Sequence, residues 1–272
     1  MDTSVKRKVG HGYVKTKKRP SDVTTKSNSK TNKARLMSQP FTLGDVGDKK
    51  LNLTAKRIMT QWTIFCDLFV GILASLDCNM YSEQFYIFAA GSSPMLVQLI
   101  ILEMFGLLFP LGDYDVMITG SDEDFQMILY AFEYYCQRTG ISCTKVKKKN
   151  SYTGCSSIAL SIVNYRVEGL DNIVSFIWHV EASSPSEVFK TFDIDICRVG
   201  YCFQTQKFLI TEEVKRAIVA REATVVKEFK FAGTVAAPHE VSELASTMYR
   251  MSKYKSRGFN FAKPPTIKFS TK

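Results

Sequence analysis

A chain of 272 residues, 45% of them hydrophobic, suits one large core or two small ones. Its net charge of +10 is local: residues 1–35 carry +9 and the remainder +1, so the globular part is not itself a basic protein. Seven scattered cysteines without a C-x-x-C pair exclude a disulfide framework and a zinc ribbon, and fit a reducing compartment.

Residues 1–36 are rich in Lys, Ser, Thr and Asn and poor in apolar residues, which reads as a disordered basic arm. The N-terminus lacks the apolar stretch of a secretory signal, so the expectation is an intracellular protein of the cytoplasm or nucleus. Residues 37–53, with Pro40, Gly44 and Gly47, read as a linker. Thr54 is placed to cap a helix over 55–76. The apolar runs 62–76 and 95–109 contain Asp67, Gln98 and Glu103 and fall short of the ~20 residues a membrane span needs. They read as buried helices, with no membrane partner expected.

A short strand, Phe85–Ala89, meets the turn Gly91-Ser92-Ser93-Pro94. Ser93 suits an N-cap and Pro94 a first helical position, for a helix reaching about Leu108. The next strand, Val116-Met117-Ile118-Thr119, begins with Asp113 and Asp115. Side chains two apart on a strand share a face, so the two carboxylates are neighbours, and like charges that close need a positive partner. Ser121, followed by Asp122, Glu123 and Asp124, opens a helix to about Arg138. Residues 141–147, 156–165 and 172–180 have the β-branched and aromatic character of strands. A strand is expected from Phe192 to Gly200, with Asp193 and Asp195 on one face. Another covers 208–210, and Thr211 caps a helix to about Ala220. The last helix covers about 240–256 and stops at Gly258. The domain proper is thus expected over 54–261, with an irregular tail at 262–272 containing Pro264-Pro265. The fold class is α+β (α/β), a small mixed sheet flanked by helices.

Each part of this order has a chemical use. A Gly-Ser turn feeding a helix N-terminus offers backbone N–H groups and a positive dipole end to phosphate. Three carboxylates from neighbouring strands can hold two divalent cations ~3.5–4 Å apart for in-line attack on phosphorus. Carboxylate, water and phosphate oxygens are the ligands Mg²⁺ prefers. Arg250, Lys253, Tyr254 and Arg257 fall on one helix face at i, i+3, i+4, i+7. That stripe is either a solvated face or a grip for phosphate or nucleic acid, with Tyr254 either stacked on a base or packed inward. The three histidines are too separated for a metal cluster, and His179, in an apolar strand, reads as a core or edge residue.

The motifs Gly91-Ser92, Asp113-Tyr114-Asp115 and Phe192-Asp193 resemble those of the polymerase-beta-like nucleotidyltransferase superfamily. "TFDIDICRVGY" (191–201) and "YRMSKYKSRGFNF" (249–261) are similar to a divergent branch found in large DNA viruses and protists. The resemblance covers roughly residues 85–261. It implies metal-dependent nucleotidyl transfer from an NTP to an acceptor, with RNA one candidate, using Mg²⁺ or Mn²⁺. Asp113 and Asp115 would bind the metals. Asp193, with Asp195 as the alternative, would be the third acid and help activate the attacking hydroxyl. Gly91, Ser92 and Ser93 would hold the triphosphate. The arm, residues 1–36, reads as a nucleic-acid-binding extension or a nuclear import signal. The reading from another class is a non-catalytic nucleic-acid-binding or structural protein, viral in the terms of that branch, on a degenerate copy of the same fold. Oligomeric state has no signature in the sequence.

Overall fold

The computed structural model describes residues 37–40, 52–76, 85–147, 159–179, 182–232 and 238–270. The expected basic arm, 1–36, lies outside these residues. One compact unit runs from Ala34 to Lys272.

Its centre is an eight-stranded mixed sheet. The strands are β1 (Met37–Pro40), β2 (Ile87–Ala90), β3 (Tyr114–Thr119), β4 (Cys143–Val146), β5 (Ala159–Val167), β6 (Val174–His179), β7 (Gly200–Cys202) and β8 (Lys207–Ile210). Their spatial order is β1-β8-β7-β2-β3-β6-β5-β4. Within this sheet, among the described residues, only β3 and β6 pair in parallel. The crossover between those two carries α3 (Asp122–Thr139) and the hairpin of β4 and β5. Flanking helices are α1 (Leu53–Ser75), α2 (Ser92–Ile101), α4 (Pro185–Lys190), α5 (Glu212–Ala220) and α6 (Pro238–Lys255).

The sheet buries both faces, and its central strands are accordingly apolar on both. Tyr114, Val116 and Ile118 of β3 join the larger core with α1, α2 and α3. Met117, on the other face, joins a smaller cluster with Phe88, Ile177, Val188 and Phe189. Helix α1 is long and apolar enough, by length and composition, to cross a membrane. In this fold its stripe Ile58, Met59, Trp62, Phe65, Phe69 and Ile72 is buried in the larger core. Phe69 stacks on Phe203 at 4.4 Å and meets Phe65 edge-on at 5.1 Å.

Several local expectations change. Helix α1 is capped by Asn52, whose side chain accepts from Ala55 N, so the cap lies two residues before Thr54. Helix α2 starts at Ser92 and stops at Ile101. A 3-10 turn at Phe105–Leu107 follows where continuation to Leu108 was expected, and Glu103 takes a positive φ of 60° between them. The span Phe192–Gly200 is not a strand. It forms a single bridge, Ile194 to Val225, then a 3-10 turn at Asp195–Cys197 before β7. The linker contributes β1, paired antiparallel with β8. The tail is not irregular: β12 (Thr266–Ser270) runs parallel to β10 (Glu228–Ala232), starting directly after Pro264-Pro265. Proline lacks the N–H for a ladder but fixes φ in the extended range, so it can lead into a strand. Two short strands, β9 (Glu222–Ala223) and β11 (Asn260–Phe261), pair in parallel and tie the end of α6 to the end of α5.

Helix α3 matches expectation closely. Ser121 and Asp124 form a reciprocal capping box, and Gly140 closes the helix in the left-handed region. Helix α5 likewise begins with Thr211 as cap.

Phe69→Ala should cost about 3–5 kcal/mol, the usual range for emptying a fully packed aromatic site. Equilibrium urea unfolding of the variant against wild type measures it.

Candidate active site

Two backbone-scale contacts locate the Gly-Ser turn. Gly91 N–H donates to Val199 O at 3.0 Å, and the Ser93 hydroxyl donates to Asp113 O at 3.2 Å. The turn is therefore held between the segment that leads into β3 and the segment that leads into β7. Gly91 has φ 83° and ψ −134°, a conformation that glycine alone adopts without strain, and it stands at the N-terminus of α2. Ser93 is buried and gives its hydroxyl to Asp113, so it is a tether and not the helix cap expected of it.

A cavity of ≈ 810 Å³ opens at this point. Its lining includes Gly91, Ser92, Asp113, Asp115 and Asp193. Helix α6 closes the other side with Thr247, Arg250 and Lys253. Asp113 and Asp115 share a parity on β3, and Met117 continues it along the cavity wall.

Asp193 is buried, and its Oδ2 accepts from Arg250 Nη2 at 2.6 Å, Arg250 Nε at 2.9 Å and the Thr247 hydroxyl at 2.5 Å. That is a forked, charge-assisted grip. Its backbone carbonyl accepts from Val226 N. Lys253 is half-buried. Burial, and then the like charge of Arg257, push its pKa down, while Asp115 and Asp113 pull it back up. Lys253 thus brings positive charge towards the two adjacent carboxylates, which would otherwise repel. Lys227 and Glu243 form an ion pair on the same wall.

Asp195 lies elsewhere. Its Oδ1 accepts from Ile196 N at 2.7 Å and Thr224 N at 2.9 Å, and its own N–H donates to Thr224 O. It knots the 3-10 turn to the following loop and is not part of the cavity wall. Of the two candidates for a third acid, Asp193 is the one on the cavity wall, where Arg250 and Thr247 hold it. The physical reason is the missing strand: in a 3-10 turn, residues two apart no longer share a face.

The stripe on α6 splits. Arg250 and Lys253 reach the cavity. Arg257 instead lies over the Phe109 ring at 3.6 Å. Tyr254 also lines the cavity, but the side chain packs inward, 3% exposed and edge-on to Phe259 at 6.2 Å. Burial pushes its phenol well up, and a side-chain hydrogen bond joins it to Cys197. Thr247, Lys227 and His179 belong to the site without having been singled out for it. Thr247 lies one helical turn before Arg250 on the same face, a spacing that does point to it once Arg250 is chosen.

The donor set for a divalent cation can be tested on this geometry. Asp113 and Asp115 offer the oxygen ligands a hard cation takes. Asp193 is on the same cavity but its Oδ2 is committed to Arg250 and Thr247. Among the described residues no three His, Cys, Asp or Glu side chains are grouped to hold a metal ion. The pair fits a cation, and a three-carboxylate centre is not assembled.

No protein-family model and no curated protein matches the chain. Among solved structures it is similar to a CCA-adding enzyme in complex with CTP, at 11% identity and a TM-score of 0.45, over 77% of this chain and 43% of that one. It is also similar to a Thermotoga maritima CCA-adding enzyme complexed with tRNA, at 12% identity and a TM-score of 0.45, over 77% of this chain and 42% of that one. The chain spans less than half the length of either.

Two substitutions separate the roles of the neighbouring acids. Burial holds the Asp195 carboxyl above its ordinary range, against the pull of its two backbone donors. As pH rises the unfolded chain ionises first, so the native state loses stability across that interval and carries the cost at neutral pH. Asp195→Asn keeps an oxygen for both donors. It should melt above wild type at neutral pH, with the gain vanishing below the unfolded aspartate pKa of about 3.9. Arg250→Met should melt below wild type at neutral pH. It leaves Asp193 buried without its cation, at a cost on the order of 2 kcal/mol, below the range for a fully buried pair because Arg250 is 30% exposed. Thermal melting against pH reads both.

Proposed function

We propose that this protein transfers a nucleotidyl group from an NTP to an acceptor hydroxyl, such as an RNA end, with Mg²⁺ or Mn²⁺ bound at Asp113 and Asp115. The observation that carries the proposal is the convergence of Gly91, Ser92, Asp113, Asp115, Arg250 and Lys253 on one cavity of nucleotide size. The resemblance of the same motifs to the polymerase-beta-like nucleotidyltransferases supports it.

In this reading each group has a task the geometry suits. The N–H groups at the start of α2, beside Gly91, bind phosphate oxygens, and the helix dipole favours their charge. The Gly91 backbone admits a close approach, since a Cβ there would meet nothing within 4 Å. Arg250 and Lys253 bring positive charge to the same wall, the guanidinium gripped by Asp193 and Thr247 and the ammonium as a point charge. Asp193 is a positioning residue: by gripping Nε and Nη2 it leaves Arg250 a fixed orientation. A divalent cation held by Asp113 and Asp115 would offset charge developing on the phosphoryl oxygens. Residues 1–36, with most of the net charge, would add sequence-independent affinity for nucleic acid.

A second reading has one observation in its favour. The engagement of Asp193 leaves no three-acid centre among the described residues, as a non-catalytic nucleic-acid-binding protein on the same fold would allow.

Labelled-NTP transfer onto an RNA pool with Mg²⁺ or Mn²⁺ decides between them. Wild type should label RNA. Asp115→Asn should lower the rate by several orders of magnitude, as when electrostatic stabilisation of a phosphoryl transition state is lost, and should leave the fold intact. Metal with NTP should raise the melting temperature of wild type by mass action and do so far less in the variant. Absence of both transfer and shift in wild type for every NTP would leave the binding protein as the better account.

The arm has its own test. Deleting residues 1–36 should weaken RNA binding and flatten the slope of log K against log salt, because that slope counts released counterions. An unchanged slope assigns the arm to another task, such as nuclear import.

A further inference from the structure

Two cysteines meet on the face of the sheet away from the cavity. Helix α3 turns Phe132 and Cys136, four residues apart, towards the sheet, and both are buried. Phe132 meets Tyr165 of β5 edge-on at 4.8 Å. The helix closes on Gly140, and the Ile141 N–H donates back to Cys136 O at 3.0 Å. That closure folds the chain under the last helical turn and into β4. The Ser142 N–H donates to Glu168 Oε2 at 3.1 Å, and Ser142 O accepts from Glu168 N at 2.8 Å. Antiparallel pairing sets Cys143 beside Val167 and Lys145 beside Tyr165. Cys143 therefore shares with Tyr165 and Val167 the face that belongs to the larger core. A side-chain hydrogen bond joins the thiols of Cys136 and Cys143.

The two thiols differ in what can reach them. Cys136 is buried and Cys143 half-buried. Burial, and then the neighbouring Cys143, push the Cys136 thiol up to about 12, so it rests protonated at neutral pH. An oxidant attacks the accessible thiol first, and a second thiol in contact traps the product as a disulfide. Accessibility thus assigns the first step to Cys143 and the resolving step to Cys136.

We propose that Cys136 and Cys143 are a hydroperoxide-reactive dithiol that closes reversibly into a disulfide and staples β4 to the end of α3. The Cys143 sulfur attacks a hydroperoxide, ROOH. An S–O bond forms, the O–O bond breaks, and the thiol proton leaves with the alkoxide as ROH, giving a sulfenic acid. The Cys136 sulfur then attacks the Cys143 sulfur. The S–S bond forms as the S–O bond breaks, and the Cys136 proton leaves with the hydroxide as water. Each sulfur loses one electron, and the peroxide gains two. A thiol reductant reverses the reaction by exchange, as a reducing compartment supplies. The consequence is local. Strand β4 has four residues and lies at the sheet edge, paired with β5. Short edge strands open at low cost, and the staple opposes that opening.

Peptide mapping of the full chain after hydrogen peroxide treatment tests the pair. Cleavage after Glu133, Arg138 and Lys145 separates residues 134–138 from 139–145, so a disulfide is what keeps the two peptides together. In native protein this joined peptide should exceed every other cysteine pairing by about tenfold and disappear with dithiothreitol. In urea-unfolded protein the preference should be lost among the seven cysteines. Cys136→Ala should leave Cys143 as a sulfenic acid that dimedone labels, and Cys143→Ala should leave Cys136 unlabelled. Amide hydrogen exchange over residues 139–145 should slow by about fivefold or more on oxidation of wild type, and stay as it was in peroxide-treated Cys143→Ala. No joined peptide, an equal mixture of pairings in native protein, or dimedone labelling of Cys136 in place of Cys143 overturns the dithiol. Unchanged exchange in the cross-linked protein overturns the staple.

Discussion

The alternation of β3 is the constraint on which the rest of the molecule depends. Tyr114, Val116 and Ile118 lie in the larger core, with Tyr114 stacked on Phe65 of α1 at 4.4 Å. Those contacts fix the strand's rotation. A period of two then leaves Asp113, Asp115 and Met117 no choice but the opposite side. A one-residue slip would drive two carboxylates into an aromatic core and expose three large apolar side chains. The packing that stabilises the fold and the presentation of the acids are therefore one interaction seen from two faces.

What surrounds that strand is arranged by charge. Two adjacent carboxylates destabilise each other, and the chain meets this with Lys253 near both of them. Asp193, brought in from a segment with little regular structure, has a dedicated cation in Arg250. The effect is to tie α6 to that segment through an ion pair on the cavity wall. The same α6 is anchored from below by Met251 and Tyr254 in the larger core. One face of the helix thus holds to apolar packing and the adjacent face to carboxylates. The spacing of residues 247, 250, 251 and 254 is what allows both.

The cavity consequently has two chemistries in series. Near Gly91 it is cationic donors, carboxylates and backbone N–H groups. Towards His179 it is aliphatic and aromatic. The gradient follows from strand register: each step of two residues along β3 and β6 moves one row away from the helix N-terminus.

By itself the sequence determined whatever depends on neighbours along the chain. Ser121, Thr211 and Gly258 mark the ends of helices through bonds and dihedrals within a few residues. The alternation of β3 and the amphipathic α1 were equally legible, because periodicity is local. The Gly-Ser turn and the two acids were legible as types, since their chemistry is intrinsic to the residues. Only the tertiary structure put Asp193 on the cavity wall and Asp195 away from it. Both have the same side chain, and the choice rests on a 3-10 turn that the partners Thr224 and Val226 impose from across the chain. It also decided that Tyr254 turns inward, that Thr266–Ser270 becomes a strand, and that His179 reaches the cavity. For the last two the deciding contact comes from another element, β10 or the β3–β6 register. Pairing across an interval of tens of residues leaves no trace in local composition, because the free energy that selects it belongs to surfaces that meet only after folding.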